Sequence, residues 1–225
     1  MSLQDNLTNF TVGTERVFWT DRKFYLVVGK RVFDVLSALA LMLMFAPFMM
    51  VIWVILMVSG GTPFFGHMRV GRSGRPFRCW KFRTMAVNAE ELLVDLLARN
   101  PEAARQWADS QKLMYDPRVT RVGLVLRQTS LDELPQLWNV LVGDMSLVGP
   151  RPVTEDELVR YGDAVAEYQS VRPGLTGPWQ VSGRDRVGYS ERVELDQAYV
   201  EQLNFWYDIK IAFRTIGAVI GRTGH

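Results

Sequence analysis

Apolar and polar positions divide this chain into unlike parts. Residues 1 to 22 are polar, without periodicity, and read as a loosely held arm. Val35 to Val58 is almost wholly apolar and carries no charge. As one straight helix these 24 residues would reach about 36 Å at ~1.5 Å per residue, enough to cross a bilayer. A cleaved signal peptide is not expected, because the run begins far into the chain and no small-x-small cleavage site stands clear of it. The remainder has the mixed pattern of a soluble domain.

Within that remainder, Thr62 to Met85 predicts a hairpin. Phe64-Phe65 and Phe77, Trp80, Phe82 lie on two short runs around Arg72-Ser73-Gly74-Arg75, where Ser-Gly favours a turn. Asn88 to Arg99 predicts a helix with Leu92, Leu93, Leu96 and Leu97 on one side, Asn88 as N-cap and Glu90 and Glu91 in the first turn. That apolar face either packs on a core or lies on a membrane. Asn100-Pro101 ends it and starts a second helix through Trp107. Asp116-Pro117 marks a loop, and Leu131 to Val142 is predicted helical. Glu155 to Val171 predicts one amphipathic helix ended by Pro173-Gly174. Gly177-Pro178 and Gly183 then give a loop carrying Gln180, Arg184, Asp185 and Arg186. Leu195 to Ile220 predicts one or two amphipathic helices. There is no internal repeat.

Two features argue against a simple membrane crossing. Pro47 stands at the middle of the apolar run, where it removes a backbone hydrogen bond and kinks or breaks a helix at a cost of ~3 kcal/mol. The run is also basic on both sides. Lys23, Lys30 and Arg31 precede it, and Arg69, Arg72, Arg75, Arg78, Lys81 and Arg83 follow it. Basic flanks stay cytoplasmic, so the least costly path returns the chain to the side it entered. A kinked single crossing is the alternative, since proline is tolerated in spanning helices. At the entrance, Asp34 lies one helical turn after Lys30 and can pair with it. Interfacial snorkelling of Lys30 and Arg31 is compatible with that pairing.

Charge and composition narrow the chemistry. A net charge of +2 is too small for a nucleic-acid binder. The single cysteine, Cys79, excludes an internal disulfide and fits a reducing compartment. Set among Phe77, Trp80 and Phe82, it reads as a small buried side chain. Two histidines, His67 and His225, cannot build a histidine-rich metal site. Any metal is therefore held by oxygen, which points to Mg2+ or Mn2+.

The densest chemistry lies in SLDELPQLWNVLVGDMSLVGPRP, from Ser130 to Pro152. Asp132 and Glu133 form an adjacent carboxylate pair, and Ser130 with Glu133 has capping-box spacing. An Asp132 cap is the alternative, since it places Pro135 in the first turn. Either arrangement sets the carboxylates at a helix N-terminus, which favours anions. Capping explains one acidic residue, not two beside arginines. Arg151 is clamped between Pro150 and Pro152, and a preset guanidinium grips phosphate with little entropy lost. Arg127 stands just upstream, and Lys81, in a predicted strand, is either surface charge or a further phosphate contact.

The segments KRVFD, CWKFRTM, DPRVTRVGLVLRQTSLDELPQLWNVLVGDMSLVGPRP and VRPGLTGPWQVSGR together resemble the bacterial sugar transferases. These are monotopic phosphoglycosyl transferases, or undecaprenyl-phosphate sugar phosphotransferases. The resemblance runs from about Lys30 to the C-terminus, and the chain looks like a short, exopolysaccharide-type form without the extra N-terminal membrane helices of longer members. In the family the helix break is often Ser-Pro; here it is Ala46-Pro47.

The resemblance implies transfer of a hexose 1-phosphate from a UDP-sugar to undecaprenyl phosphate, with release of UMP. By the same resemblance Asp132 is the nucleophile that carries a phosphosugar intermediate, and Glu133, with Asp132, holds Mg2+ (or Mn2+). Arg127, Arg151 and Lys81 bind substrate phosphate, and Gln180, Gly183 and Arg184 line the nucleotide end. The predicted fold is α+β and mainly helical. It begins with an N-terminal re-entrant membrane helix-break-helix centred on Pro47. A cytoplasmic catalytic domain with a small β-hairpin and amphipathic interfacial helices follows. The expected division is 1–29 polar arm, 30–60 re-entrant helix and 61–225 catalytic domain. The expected partners are undecaprenyl phosphate, a UDP-hexose and the lipid bilayer, with no nucleic acid. The expected location is the cytoplasmic face of a bacterial inner membrane.

Overall fold

The structure is a computed structural model that describes residues 24–110, 113, 115–183 and 188–220. The predicted polar arm falls, apart from residues 24–29, outside the described residues. A π-helical turn, Tyr25–Gly29, leads directly into helix α1, Lys30–Val58. One stripe of α1 faces the rest of the molecule: Asp34, Ala38, Ile52 and Leu56 are buried, with Leu41, Met42, Phe45 and Met49 half-buried between them. Those positions recur every three or four residues, so a single helix face is covered. The opposite face exposes Leu36, Leu43, Phe48 and Val51.

The expected interruption at Pro47 is not seen. α1 is assigned as one helix through it. Proline removes only the bond to the carbonyl four residues earlier. The turns on either side keep theirs, and each half packs its own stripe onto the body of the protein. The expected Lys30–Asp34 pair is also replaced. Lys30 Nζ bonds Asp208 Oδ2 at 2.6 Å. Asp34 instead accepts from Ser146 Oγ at 2.9 Å and Leu147 N at 3.0 Å. The 1% exposed Asp34 carboxylate thus satisfies buried donors of another element, which a neighbour on its own helix cannot do.

Strands β1 (Phe64–Val70) and β2 (Pro76–Phe82) form the predicted antiparallel hairpin, in register from Phe64↔Phe82 to Val70↔Pro76. Its turn takes Ser73 and Gly74 into left-handed backbone at φ 58 and 73. Helices α2 (Ala89–Arg99) and α3 (Pro101–Ser110) meet at Asn100, whose Oδ1 accepts from the amides of Glu102 and Ala103. Asn88 stands at the N-cap of α2, but its side chain makes no capping bond.

Helix α4 (Arg121–Gln128), capped by Thr120, precedes a 3-10 turn at Leu131–Glu133 and helix α5 (Gln136–Val142). Strands β3 (Ser146–Val148) and β4 (Gly174–Thr176) pair in parallel. The single helix expected over Glu155–Val171 is three pieces: α6 (Glu155–Leu158), a 3-10 segment at Val159–Ala164 and α7 (Val165–Ser170). Gly162, at φ 51 and ψ −124, divides them, a backbone pair open to glycine and strained for other residues. The short α8 (Pro178–Val181) is followed by two helices, α9 (Tyr189–Gln202) and α10 (Phe205–Ile220).

The main core joins Leu137 and Val140 of α5, Met145, Val148 of β3 and Tyr199 of α9 to Ala38 of α1. A second cluster sets Ile52 and Leu56 of α1 against Phe82 and Leu126. The long apolar helix is thus part of both cores. Mostly helical, with a small hairpin sheet and one long apolar N-terminal helix, the chain has the expected composition of elements.

Candidate active site

The turn that carries the carboxylates is held from both sides by apolar contacts. Leu131 and Leu134, which bracket Asp132 and Glu133, pack against the cluster formed by Ile52, Leu56, Phe82 and Leu126. The acidic pair is therefore pinned against the second half of the apolar helix α1. Ser130, just before it, adopts φ 56, left-handed backbone that is uncommon for a residue with a side chain. Neither expected cap forms. Ser130 makes no side-chain capping bond, and its backbone is not the extended one that an N-cap needs. α5 begins later, at Gln136 after Pro135. The carboxylates are thereby left for other partners.

Lys81 of β2 is the partner. Its Nζ lies 2.6 Å from Glu133 Oε1 and 3.9 Å from Asp132 Oδ2. Burial pushes the Asp132 carboxyl up to about 6; Lys81 and Arg127 pull it down, and Glu133 pushes it up. Asp132 is 7% exposed, whereas the side chains of Lys81 and Glu133 are about one-third open. Arg127, near enough to act on Asp132, is oriented by a bond from its Nε to Thr84 Oγ1 at 2.9 Å. Asn139 fixes β2 against α5, accepting from Trp80 N at 3.0 Å and donating to Arg78 O at 2.8 Å. That clamp sets Lys81, the next residue along, at its height above the turn.

Arg151 approaches from the other side. Its loop is tied to β4 where Gly174 N donates to Pro150 O at 2.8 Å and Gly149 N to Thr176 O at 2.9 Å. A Cβ on Gly149 would stand 2.6 Å from Arg172 O, so only glycine permits this close crossing. The Arg151 guanidinium lies 4.7 Å from the centre of the Trp179 ring. Desolvation lowers its pKa, Glu133 raises it and Arg192 lowers it, so Arg151 feels both the acidic pair and a second arginine.

The structure thus brings Lys81, Arg127, Asp132, Glu133 and Arg151 into one neighbourhood. Gln180 adjoins Trp179 on α8, and Gly183, at φ 116, follows shortly after. Arg184 lies outside the described residues. Pro47 is exposed on α1, away from the covered stripe. Cys79 is buried, and burial pushes its thiol up to about 11, which removes it as a nucleophile. Sequence reasoning missed Thr84, Asn139, Trp179 and Arg192. Thr84 and Trp179 stood inside quoted motifs, CWKFRTM and VRPGLTGPWQVSGR, and so were within reach. Asn139 likewise stood inside SLDELPQLWNVLVGDMSLVGPRP, whereas Arg192 carried no local signal.

For a divalent cation, the donors available are Asp132 and Glu133. Among the described residues no group of three His, Cys, Asp or Glu side chains gathers. Two adjacent carboxylates, Asp132 buried and Glu133 about one-third open, fit magnesium, which takes one or two carboxylates and completes its shell with water and substrate phosphate.

A family model described as "Bacterial sugar transferase" matches residues 25–222. The chain is 50% identical over 195 residues to the "UDP-galactose-lipid carrier transferase" of Erwinia amylovora. It is 49% identical over 195 residues to the "Undecaprenyl-phosphate galactose phosphotransferase" of Salmonella typhimurium. Each alignment covers 87% of this chain and 41% of the relative, so the chain spans about two-fifths of their length. The "Exopolysaccharide production protein ExoY" of Rhizobium meliloti is 49% identical over 193 residues, covering 85% of both chains.

Proposed function

The chain belongs to the bacterial sugar transferase family, and from that premise we propose that it transfers a hexose 1-phosphate from a UDP-sugar to undecaprenyl phosphate. The product would open the assembly of an exopolysaccharide, capsule or O-antigen type of glycan. Galactose or glucose is the favoured sugar, and the names of the relatives support galactose. The observation that carries the reading is the placement of Asp132 and Glu133. They sit beside Lys81, between residues that pack on the apolar helix.

Asp132 is the nucleophile. Its carboxylate oxygen bonds to the phosphorus that bears the sugar. The bond from that phosphorus to the bridging oxygen breaks, and UMP leaves with the electron pair. An oxygen of the lipid phosphate then attacks the same phosphorus, and the Asp132 oxygen is released. Two easier steps replace one. Lys81, Arg127 and Arg151 hold phosphate oxygens and offset the repulsion between an anionic nucleophile and an anionic donor. Asp132 and Glu133 would hold Mg2+ (or Mn2+). When bound, the metal supplies charge neutralisation at the diphosphate. Gln180, Gly183 and Arg184 are assigned to the nucleotide end.

In this reading the apolar helix bends at Pro47 without breaking and so enters and leaves the same leaflet, with the domain on the cytoplasmic face of the inner membrane, where UDP-sugars occur. What supports this path is that both helix ends are bonded to one body. Lys30 reaches Asp208 and Val148 O, and Arg31 reaches Val140 O and Leu141 O. At the far end Arg83 donates to Leu56 O and Ser59 Oγ. A crossing would separate these anchors by ~30 Å of hydrocarbon.

The deciding experiment is UMP release from a panel of UDP-sugars with and without undecaprenyl phosphate and with EDTA, combined with trapping of labelled sugar phosphate on the protein. Lipid-dependent turnover, label on Asp132 and loss in EDTA are expected. Repeated turnover without lipid would make the protein a phosphohydrolase instead. Cysteine reporters at positions 10 and 220 in a Cys79→Ser background test the path. Labelling of either from outside the intact membrane would rule it out.

A further inference from the structure

Arg192, one turn into α9, is 5% exposed, and its Nε and Nη2 have no hydrogen-bond partner. A guanidinium stays charged at any pH a protein survives. Buried donors left unmet are costly, and charged ones more so. Asp196, four residues on and 1% exposed, does not relieve them. It accepts the Tyr161 hydroxyl at 2.7 Å on Oδ2, while its own Oδ1 is unpaired.

Arg192 shares its surroundings with two further arginines and with the buried Asp196 carboxylate, which feels the charge of both Arg192 and Arg151. It lies 5.3 Å from the Trp179 ring centre, the ring that also carries Arg151 at 4.7 Å. It lies 5.2 Å from the Tyr189 ring, which carries Arg160 at 5.1 Å. The Arg151 charge feels Glu133 and Arg192, as well as Arg69 and Glu157. Two guanidinium groups that share one indole repel each other, and an anion between them relieves both the repulsion and the unmet donors.

We propose that Arg151 and Arg192, braced on Trp179, form a second phosphate subsite beside the Asp132–Glu133 pair. Arg192 turns its unmet N–H groups onto the phosphate oxygens there. The ligand is a phosphate monoester or diphosphate, and the transfer reading supplies two sources, the nucleotide's departing phosphate and the lipid phosphate. The subsite rests on that reading for its ligands alone, and phosphate binding can be measured without any turnover.

The test measures binding of pyrophosphate, UMP, uridine and undecaprenyl phosphate to the full chain in lipid nanodiscs. Wild type is compared with Arg192→Met and Arg192→Gln. Both variants should bind pyrophosphate about tenfold or more weakly, the loss of a charged hydrogen bond, and uridine as wild type does. Thermal unfolding checks that both variants fold, because the buried Asp196 loses a neighbouring positive charge in each. Loss of UMP affinity with undecaprenyl phosphate unaffected assigns the subsite to the nucleotide, and the reverse assigns it to the lipid. Wild-type affinity for all three phosphates in a folded variant overturns the subsite. That outcome leaves the transfer reading intact, whereas a wild type that binds pyrophosphate through Arg192 but releases no UMP sinks the reading and keeps the subsite.

Discussion

Two lysine–carboxylate bridges in this chain have the same length and opposite characters. Lys30–Asp208 and Lys81–Glu133 both close at 2.6 Å. Around Asp208 every demand is met: Oδ2 takes Lys30 and the Tyr25 hydroxyl, Oδ1 takes the Tyr199 hydroxyl, and the carboxylate is fully buried. Around Glu133 the side chains are about one-third open, and Lys81 must also serve Asp132, 3.9 Å away. The first is a fastening that holds the root of α1 to the start of α10. The second is a part-open set in which one lysine faces two carboxylates, the arrangement that the proposed phosphate chemistry calls for. Equal distances do not mean equal roles; burial and satisfaction distinguish them.

The widest separation between the two regions should come from Asp132→Asn. UMP release should fall by ~10³-fold or more, because an amide cannot form the covalent intermediate. The melting temperature should hold or rise slightly, since burial already disfavours the ionised Asp132 in the folded state. Activity and thermal unfolding measured on one preparation decide it. Residual turnover near wild type would remove Asp132 from the chemistry.

Lys30→Met inverts that result. Stripping one partner from a buried pair leaves an uncompensated charge on Asp208 and should cost roughly 3–5 kcal/mol of stability. Adding Asp208→Asn should recover part of it, since the amide oxygen still accepts from a tyrosine hydroxyl. If the single and double variants melt together, the fastening is not what holds the helix root.

The sequence made some of this legible and hid the rest for a physical reason. The hairpin was readable because turn chemistry and aromatic spacing are local, and α1 because a long uncharged run has few alternatives. The reactive pair stood out because two carboxylates beside clamped arginine exceed what capping requires. Gly162 was not singled out, because the apolar period of Glu155–Val171 runs straight through it. The partner of Lys30 was out of reach: Asp208 lies 178 positions away, whereas Asp34 offered itself one turn on. Lys81 stood open between surface charge and a phosphate contact, and its pairing with Glu133, 52 positions later in the chain, shows only when β2 is set against the Asp132 turn. Contacts inside an element leave a pattern, and contacts between elements leave none.

Asp196 is the intermediate case, buried like Asp208 but with one oxygen unpaired. Burial pushes its carboxyl up to about 6, against the Tyr161 hydroxyl, Arg192 and Arg151, which lower it. A carboxyl whose folded pKa is raised binds its proton more tightly folded than unfolded. It therefore favours folding at low pH, and that contribution is lost as pH rises from about 4 to about 6. Asp196→Asn carries no such dependence. The stability difference between variant and wild type should shift by roughly 2–3 kcal/mol in the variant's favour between pH 4 and pH 7. A difference that stays flat across that range would show that Asp196 is compensated after all.

The smallest stability effect should come from Lys81→Met, and it completes the comparison with Lys30→Met. Both changes remove a lysine from a 2.6 Å bridge. At Lys81 the bridge to Glu133 is about one-third open, so water screens the charge left there. The buried Asp132 is already pushed toward its neutral form by burial, so stability should change by less than about 1 kcal/mol. Activity should nevertheless fall by about ten- to a hundredfold, because one cation aimed at the reacting phosphate has been removed. Arginine at this position restores charge but not shape, since a planar fork replaces a compact ammonium between two carboxylates. Lys81→Arg should therefore recover only part of the rate. Turnover with varied UDP-sugar, alongside thermal unfolding, separates the two effects. A large drop in melting temperature with normal turnover would make the Lys81 bridge a fastening like that of Lys30, and the distinction between the two regions would fail.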